Sequence, residues 1–281
     1  MFPDKRPRDK RQRQKRADML IFYFTATGNS LSVAKRIGGE LLSIPQIIDR
    51  PELDFKDDAI GLVFPIYGYG PPKMVKRFLE KATWAAEYAF AIGTYGNKPG
   101  AAMENMQNGT RRCQRPFDYA ESLLMVDNYL PYYDTKDQIA KLGEKRTEEN
   151  LVRIVEEVKA RRPRWAVATQ SQRADTMFVQ SRRRPFLDGN KAKSYLVDET
   201  CDRCGVCAKV CPAHNIEVAH DGISFLERCE FCLACVHLCP QRALRLRREK
   251  GRARFMNPEV TLDEIIEANN RTNNQTNLAP T

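Results

Sequence analysis

The sequence predicts an α/β chain, a doubly wound parallel sheet of about five strands followed by a small α+β domain built round cysteines. Two observations predict it. Between residues 19 and 163, short apolar runs alternate with helical patterns, as parallel strands joined by crossover helices do. Eight of the nine cysteines then fall between Cys201 and Cys239, in two runs of equal spacing.

Residues 1–18 are a basic arm, whose first 16 residues set eight Lys or Arg against Asp4 and Asp9 and carry much of the formal net charge of +10. The arm is expected to be an unstructured extension. No helix-turn-helix, zinc-finger or RNP pattern accompanies it, so nucleic acid is not the expected partner. No apolar run reaches the roughly 18 residues of a membrane span, and no signal-peptide core is seen, so the expected location is the cytoplasm.

Met19 to Phe24 reads as a buried strand. The loop Thr25-Ala26-Thr27-Gly28-Asn29-Ser30 follows, and Leu31, Val33, Ala34, Ile37 and Leu41 then recur at helical spacing. A strand, a loop of hydroxyls and glycine, and a helix N-terminus together make an anion site. Orphan backbone N–H groups and the helix dipole both favour phosphate there. The loop lacks the Gly-Lys-Ser/Thr of a Walker loop and the three glycines of the dinucleotide fingerprint. An ordinary capped helix is the alternative on this loop alone.

Ile47-Ile48-Asp49 is a short strand candidate. Ala59 to Tyr67 is a buried strand, with the loop Gly68-Tyr69-Gly70-Pro71-Pro72 and a helix starting over Met74 to Leu79. Tyr88 to Thr94 is the next strand, followed by Tyr95-Gly96-Asn97-Lys98-Pro99-Gly100, and Ser122 to Val126 is the last. Lys136 to Arg162 offers Ile139, Leu142, Leu151, Ile154, Val155 and Val158 as one apolar face, a closing helix or helix pair. In such sheets ligands bind at the carboxyl ends of the strands, near the switch in strand order. One loop there suits a phosphate, and two others put tyrosines beside glycine backbone. That combination suits FMN, a flat ring joined to a phosphate. Tyr67, Tyr69 and Tyr95 are each candidates to stack on the ring, and the sequence does not choose among them.

The cysteines read Cys201-x2-Cys204-x2-Cys207-x3-Cys211-Pro212 and Cys229-x2-Cys232-x2-Cys235-x3-Cys239-Pro240. Each run has the bacterial ferredoxin spacing, in which the fourth cysteine serves the other cluster. One 4Fe–4S cluster is therefore expected on Cys201, Cys204, Cys207 and Cys239, and a second on Cys229, Cys232, Cys235 and Cys211. The two runs form an internal repeat offset by 28 residues, which aligns Ile216 with Leu244 and Val218 with Leu246 as strand pairs. Zinc would leave the x3-Cys-Pro element without a role.

Residues 193–248 resemble the bacterial two-cluster 4Fe–4S ferredoxins at all eight ligand positions. Phe24-Thr25-Ala26-Thr27-Gly28-Asn29-Ser30 is similar to the flavodoxin phosphate loop. Phe64-Pro65-Ile66-Tyr67-Gly68-Tyr69-Gly70-Pro71 and Thr94-Tyr95-Gly96-Asn97 are similar to its two ring-binding loops. With Asp127-Asn128-Tyr129 beyond the last strand, the chain resembles the ferredoxin-fused flavodoxins. The resemblance implies a flavodoxin-like FMN domain over residues 19–163, a linker over 164–192, a two-cluster domain over 193–248 and a tail over 249–281. The tail is expected to hold a short helix over Leu262 to Ala268 and to be disordered from Asn269 on.

The expected function is electron transfer between FMN, two 4Fe–4S clusters and redox partner proteins. For this the tyrosine loops face the cluster domain, within one chain or across a homodimer. The alternative is a flavin-dependent reductase of a small acceptor fed by the clusters. His214, His220 and His237 show no pairing that suggests catalysis, Cys113 reads as an inert thiol, and no catalytic dyad or triad is found.

Overall fold

The structure, a computed structural model, describes residues 19–113, 116–188 and 191–270; the side chains of residues 111–113 and 183–188 are not described. The basic arm, the Cys113 thiol and residues 271–281 thus lie outside the described part.

Five parallel strands form the main sheet: β1 (Met19–Tyr23), β2 (Glu40–Ser43), β3 (Ala59–Pro65), β4 (Tyr88–Tyr95) and β5 (Tyr119–Leu124). Their spatial order is 2-1-3-4-5, the flavodoxin-like order, and its switch point lies between β1 and β3. Alternation along each strand sorts the side chains by face. Leu20, Phe22, Ile60 and Leu62 enter one core with Phe78 and Met74 of α2 (Lys73–Lys81). Ile21, Tyr23, Val63 and Ile92 enter the other. There they meet Leu31, Val33 and Ile37 of α1 (Asn29–Ile37) and Leu151, Ile154 and Val158 of α4 (Thr147–Lys159). Each fully buried Leu or Ile of these helices contributes roughly 1.5–3 kcal/mol. Helix α3 (Ala102–Cys113) links β4 to β5.

Two elements differ from the sequence reading. The second strand is Glu40–Ser43, and Ile47 ends a short helix, Ile44–Ile47. Pro45 sits at the start of that helix, where its fixed φ suits a first turn. Leu41 is not on α1, because Gly38 and Gly39 (φ 88° and 103°) end the helix and turn the chain back beside Met19. The segment read as a linker contains α5 (Gln170–Asp188), a helix of 19 residues. Its Thr176 is buried and accepts a hydrogen bond from the Ala101 amide at 2.9 Å, which seats α5 over the loop that follows β4.

The C-terminal domain has two antiparallel pairs. β6 (Tyr195–Val197) pairs with β9 (Leu244–Leu246), and β7 (Ile216–Ala219) pairs with β8 (Gly222–Phe225). Between them lie two short helices, α6 (Val206–Lys209) and α7 (Ala234–His237). The strands include the Ile216/Leu244 and Val218/Leu246 pairs of the repeat. Phe231, Leu233, Val236 and Leu244 share one core with Phe22 and Phe78 of the sheet domain. A final helix, α8 (Leu262–Asn269), packs back on the sheet domain through Ile265 and Ala268. No helix among the described residues is long and apolar enough to cross a membrane.

Candidate flavin and iron–sulfur sites

Local geometry repeats with the cysteines. Arg203 and Phe231, Gly205 and Leu233, and His214 and Arg242 all have positive φ, and each pair is 28 residues apart. The chain therefore makes the same left-handed turns twice, wrapping each cysteine loop about its own centre. One cavity is lined by Cys201, Cys204, Cys207 and Cys239. The other is lined by Cys211, Cys229, Cys232 and Cys235. Each cavity thus draws three cysteines from one run and the last cysteine of the other. Among the described residues no three His, Cys, Asp or Glu close round a point as a single-ion site would.

The cysteines of the second cavity are the more buried: none is exposed, whereas Cys204 of the first is. Burial pushes the thiols of Cys211, Cys229, Cys232 and Cys235 above their ordinary range. Burial likewise lifts Cys207 to about 11. Metal coordination removes these protons, so loading releases acid. Sulfur also receives hydrogen bonds. The Asn215 amide donates to Cys211 Sγ at 3.2 Å and the Phe231 amide to Cys229 Sγ at 3.3 Å, and Tyr195 Oη lies 3.2 Å from Cys229 Sγ.

At the carboxyl edge of the sheet, the loop Thr25–Ser30 is buried except for Asn29, which is half-buried. Gly28 caps α1 with φ 98°, a left-handed conformation suited to glycine. Its amide donates to Thr25 Oγ1 at 3.2 Å. Among the described residues, no acceptor meets the amides of Ala26, Thr27, Asn29, Ser30 or Leu31. Buried N–H groups without partners are costly, and here they converge at a helix N-terminus. The donor set therefore fits a phosphate.

Hydroxyls and amides tie this loop to its neighbours. Ser30 Oγ lies 2.9 Å from Thr94 Oγ1, which joins it to the loop after β4. Asn128 Nδ2 donates to Thr27 Oγ1 at 2.6 Å. Pro65 lies opposite Thr94 in register.

The tyrosines diverge. Gly68 and Tyr69 (φ 55° and 66°) form a tight turn closed by two hydrogen bonds between Tyr67 and Gly70. Tyr67 is half-buried and packs against the core shared with the cysteine domain. Burial, then the charges of Cys232 and Glu230, hold its phenol well above the ordinary range. Tyr69 lies against Gly100, where an added Cβ would stand 2.7 Å from its ring, and its carbonyl accepts from Gln180 Nε2 of α5 at 3.1 Å. Tyr95 stays half-buried at the edge. Gly96 abuts Asp127, and the exposed Asn97 donates to Tyr133 Oη at 2.8 Å.

Three residues escaped the sequence reading. Lys145 Nζ donates to Gly96 O at 2.9 Å and Met125 O at 2.7 Å, pinning the Tyr95 loop from beneath. Burial lowers its pKa, partly offset by Asp127. His237, which shows no pairing for catalysis or metal ligation, is buried and lies in sequence between Cys235 and Cys239. Its Nδ1 accepts from the Phe255 amide at 3.1 Å, so Nε2 carries the proton and donates to Asn128 O at 2.8 Å. Burial keeps the imidazole neutral, with its pKa pushed down to about 4. Asn269, read as the start of a disordered tail, is wholly buried, and its Nδ2 donates to Val210 O at 3.0 Å and Thr25 O at 3.5 Å. The position of His237 within a cysteine motif was a usable signal. The asparagine gave none, because its partners are distant in sequence.

Residues 193–240 match the family model of the 4Fe-4S dicluster domain. No curated protein matches the chain. Among solved structures, the chain is similar to the Trp repressor binding protein of Bacillus subtilis, with 12% identity and a TM-score of 0.34 over 52% of this chain and 99% of that one. It is also similar to the two-electron reduced flavodoxin of Megasphaera elsdenii, with 17% identity and a TM-score of 0.27 over 46% of this chain and 98% of that one. The chain thus places a 4Fe–4S dicluster domain behind a sheet of flavodoxin-like order.

Proposed function

We propose that the chain is an electron-transfer flavo-iron–sulfur protein, with FMN at the carboxyl edge of the sheet and a 4Fe–4S cluster in each cysteine cavity. It would exchange electrons with separate redox proteins. One observation carries this reading. A hydrogen-bonded line runs from Thr27 through Asn128 to His237. One end is the phosphate loop. The other lies between Cys235, which lines one cavity, and Cys239, which lines the other.

A bound flavin can hold one or two electrons and each cluster one, so such a set joins two-electron and one-electron partners. The chain's residues have distinct shares in this. The amides of Ala26, Thr27, Asn29 and Ser30 would hold the phosphate. Thr94 to Asn97 and Pro65 to Tyr69 would flank the ring. Cys201, Cys204, Cys207 and Cys239 would hold one cluster, and Cys211, Cys229, Cys232 and Cys235 the other. Hydrogen bonds from Asn215, Phe231 and Tyr195 to sulfur favour added negative charge at the second site and would raise its potential. His237 fixes the spacing between the domains. Helix α5 bonds to the Tyr69 carbonyl and the Ala101 amide and so buttresses the ring loops.

The test is anaerobic purification with an optical spectrum and quantitation of iron, sulfide and flavin. About eight irons and one FMN per chain are expected from two 4Fe–4S clusters and one flavin site. Zinc, or a chain that takes up no flavin, overturns the reading. Reduction of the clusters by an external flavin-reducing donor should slow when flavin is removed; an unchanged rate takes the flavin off the path.

A further inference from the structure

The phosphate loop has an outer wall that belongs to neither domain as the sequence divides them. Asn257 donates its backbone N–H to Thr27 O at 2.8 Å and its Nδ2 to Asn29 Oδ1 at 3.0 Å. A Cβ added to Gly28 would stand 3.0 Å from Asn257 Cβ and 3.1 Å from Val260 Cβ. The segment is anchored on α1, where Lys35 Nζ donates to Glu259 O at 3.1 Å and Arg36 Nη1 to Glu259 Oε1 at 3.2 Å. At its far end, Asn269 bonds both to the phosphate loop and to Val210, the residue before Cys211. The Asn269 Oδ1 is buried and meets no partner among the described residues.

We propose that the C-terminal segment Asn257–Asn269 is a structural part of the phosphate site, with Asn257 and Val260 as its seal and Asn269 as its tie to the cluster domain. This rests on the FMN reading above. The two hydrogen bonds of the seal, from the Asn257 amide to Thr27 O and from its Nδ2 to Asn29 Oδ1, go to oxygens of the loop and leave the loop's N–H groups for the anion, while Val260 packs against Gly28. By excluding water, the seal strengthens N–H···O–P bonds, which are weaker in a high-dielectric setting. It also closes the path beyond the phosphate. The ligand is therefore one that ends in a phosphate monoester at this wall, and its release is coupled to the hold of this segment on the loop.

The test uses the full chain with its clusters. The rate of FMN release on dilution, followed by the fluorescence of the free flavin, is compared between wild type and Asn257→Asp. That variant sets a carboxylate against Asn29 Oδ1 at the mouth of the anion site. Release at least tenfold faster is expected, with affinity for riboflavin, which has no phosphate, changed less than twofold. Equal release rates, or an equal loss of riboflavin, overturn the proposal. A second measurement avoids the variant. Hydrogen exchange in residues 257–269 of the wild type should slow at least fivefold on adding orthophosphate, and unchanged exchange in a chain that binds FMN tightly refutes the seal. A wild type that takes up neither FMN nor riboflavin refutes the flavin reading instead. Protection by orthophosphate would then still support a sealed anion site, and its absence would end that claim too.

Discussion

At the residue scale, the fourth cysteine of each run makes the sharpest prediction. Cys211 lines the cavity of Cys229, Cys232 and Cys235, and Cys239 lines that of Cys201, Cys204 and Cys207. Replacing Cys239 by Ser should therefore spare the cluster bound mainly by the second run, although Cys239 belongs to that run. Iron analysis and electron paramagnetic resonance of Cys239→Ser and Cys211→Ser should show the loss or alteration of different clusters. The same cluster lost in both would contradict the crossed sets. His237 supplies a second residue test. His237→Phe keeps the ring volume but strands the Asn128 carbonyl and the Phe255 amide. Leaving buried groups unpaired costs roughly 1–3 kcal/mol each. Chemical denaturation should register a loss of about 2 kcal/mol or more, and the rate of electron exchange between flavin and clusters should fall. No loss of stability would show that the two bonds do not hold the domains. The cysteine pattern was readable because its spacing is fixed by the geometry of one cluster. The place of His237 inside a cysteine run pointed to it, but its two bonds were not legible, because both partners are backbone atoms that no side-chain pattern advertises.

At the scale of elements, the loops at the carboxyl edge are held by side chains that arrive from outside them. Lys145 sits in a short 3-10 turn between two helices and reaches the Gly96 and Met125 carbonyls. Lys145→Met should free the Tyr95 loop. The affinity for FMN is expected to fall by about tenfold, on the basis of about 1.4 kcal/mol lost with these charge-assisted bonds, as measured by flavin titration; unchanged affinity would remove Lys145 from the site. Helix α8 makes a parallel case. Thr261 and Glu264 form a capping box at its start. Thr261→Ala should cost about 1 kcal/mol, seen as faster hydrogen exchange along Leu262–Asn269 while β1 to β5 stay protected. The strands β1, β3 and β4 were legible because each is a short, buried and largely apolar run between turn residues. Strand β2 was not, because Glu40-Leu41-Leu42-Ser43 is short and half-buried at the sheet edge, and its leucines fit the period of α1. Only the paired glycines before it mark the break. Helix α5 was read as a connection because its sequence is polar, and its docking depends on Thr176 and Gln180 rather than on an apolar stripe.

At the scale of the molecule, the two domains are not beads on a string. Phe231, Leu233 and Cys235 share a core with Phe22, Leu62 and Phe78. Tyr67 of the sheet domain and Cys232 of the cluster domain border the same packed region. The C-terminal segment closes on the sheet domain's loop while bonding to Val210. A small cysteine-rich unit has little core of its own, so metal binding supplies much of its folding free energy. Because its apolar residues also cover one face of the sheet, that free energy reaches the sheet domain as well. A ligand that binds only the folded state stabilises whatever folds with it. Removing iron by chelation should therefore lower the melting temperature of the sheet domain, reported by the near-ultraviolet signal of its buried tyrosines and Trp84. A chain of independent domains would lose only the cluster-domain transition, and the sheet would melt at an unchanged temperature. The coupling also runs the other way. Since Thr27, Asn128 and His237 form one hydrogen-bonded line, binding FMN should slow the loss of iron to a chelator. A chelation rate indifferent to flavin would mean that the line holds the domains together without transmitting the state of one site to the other.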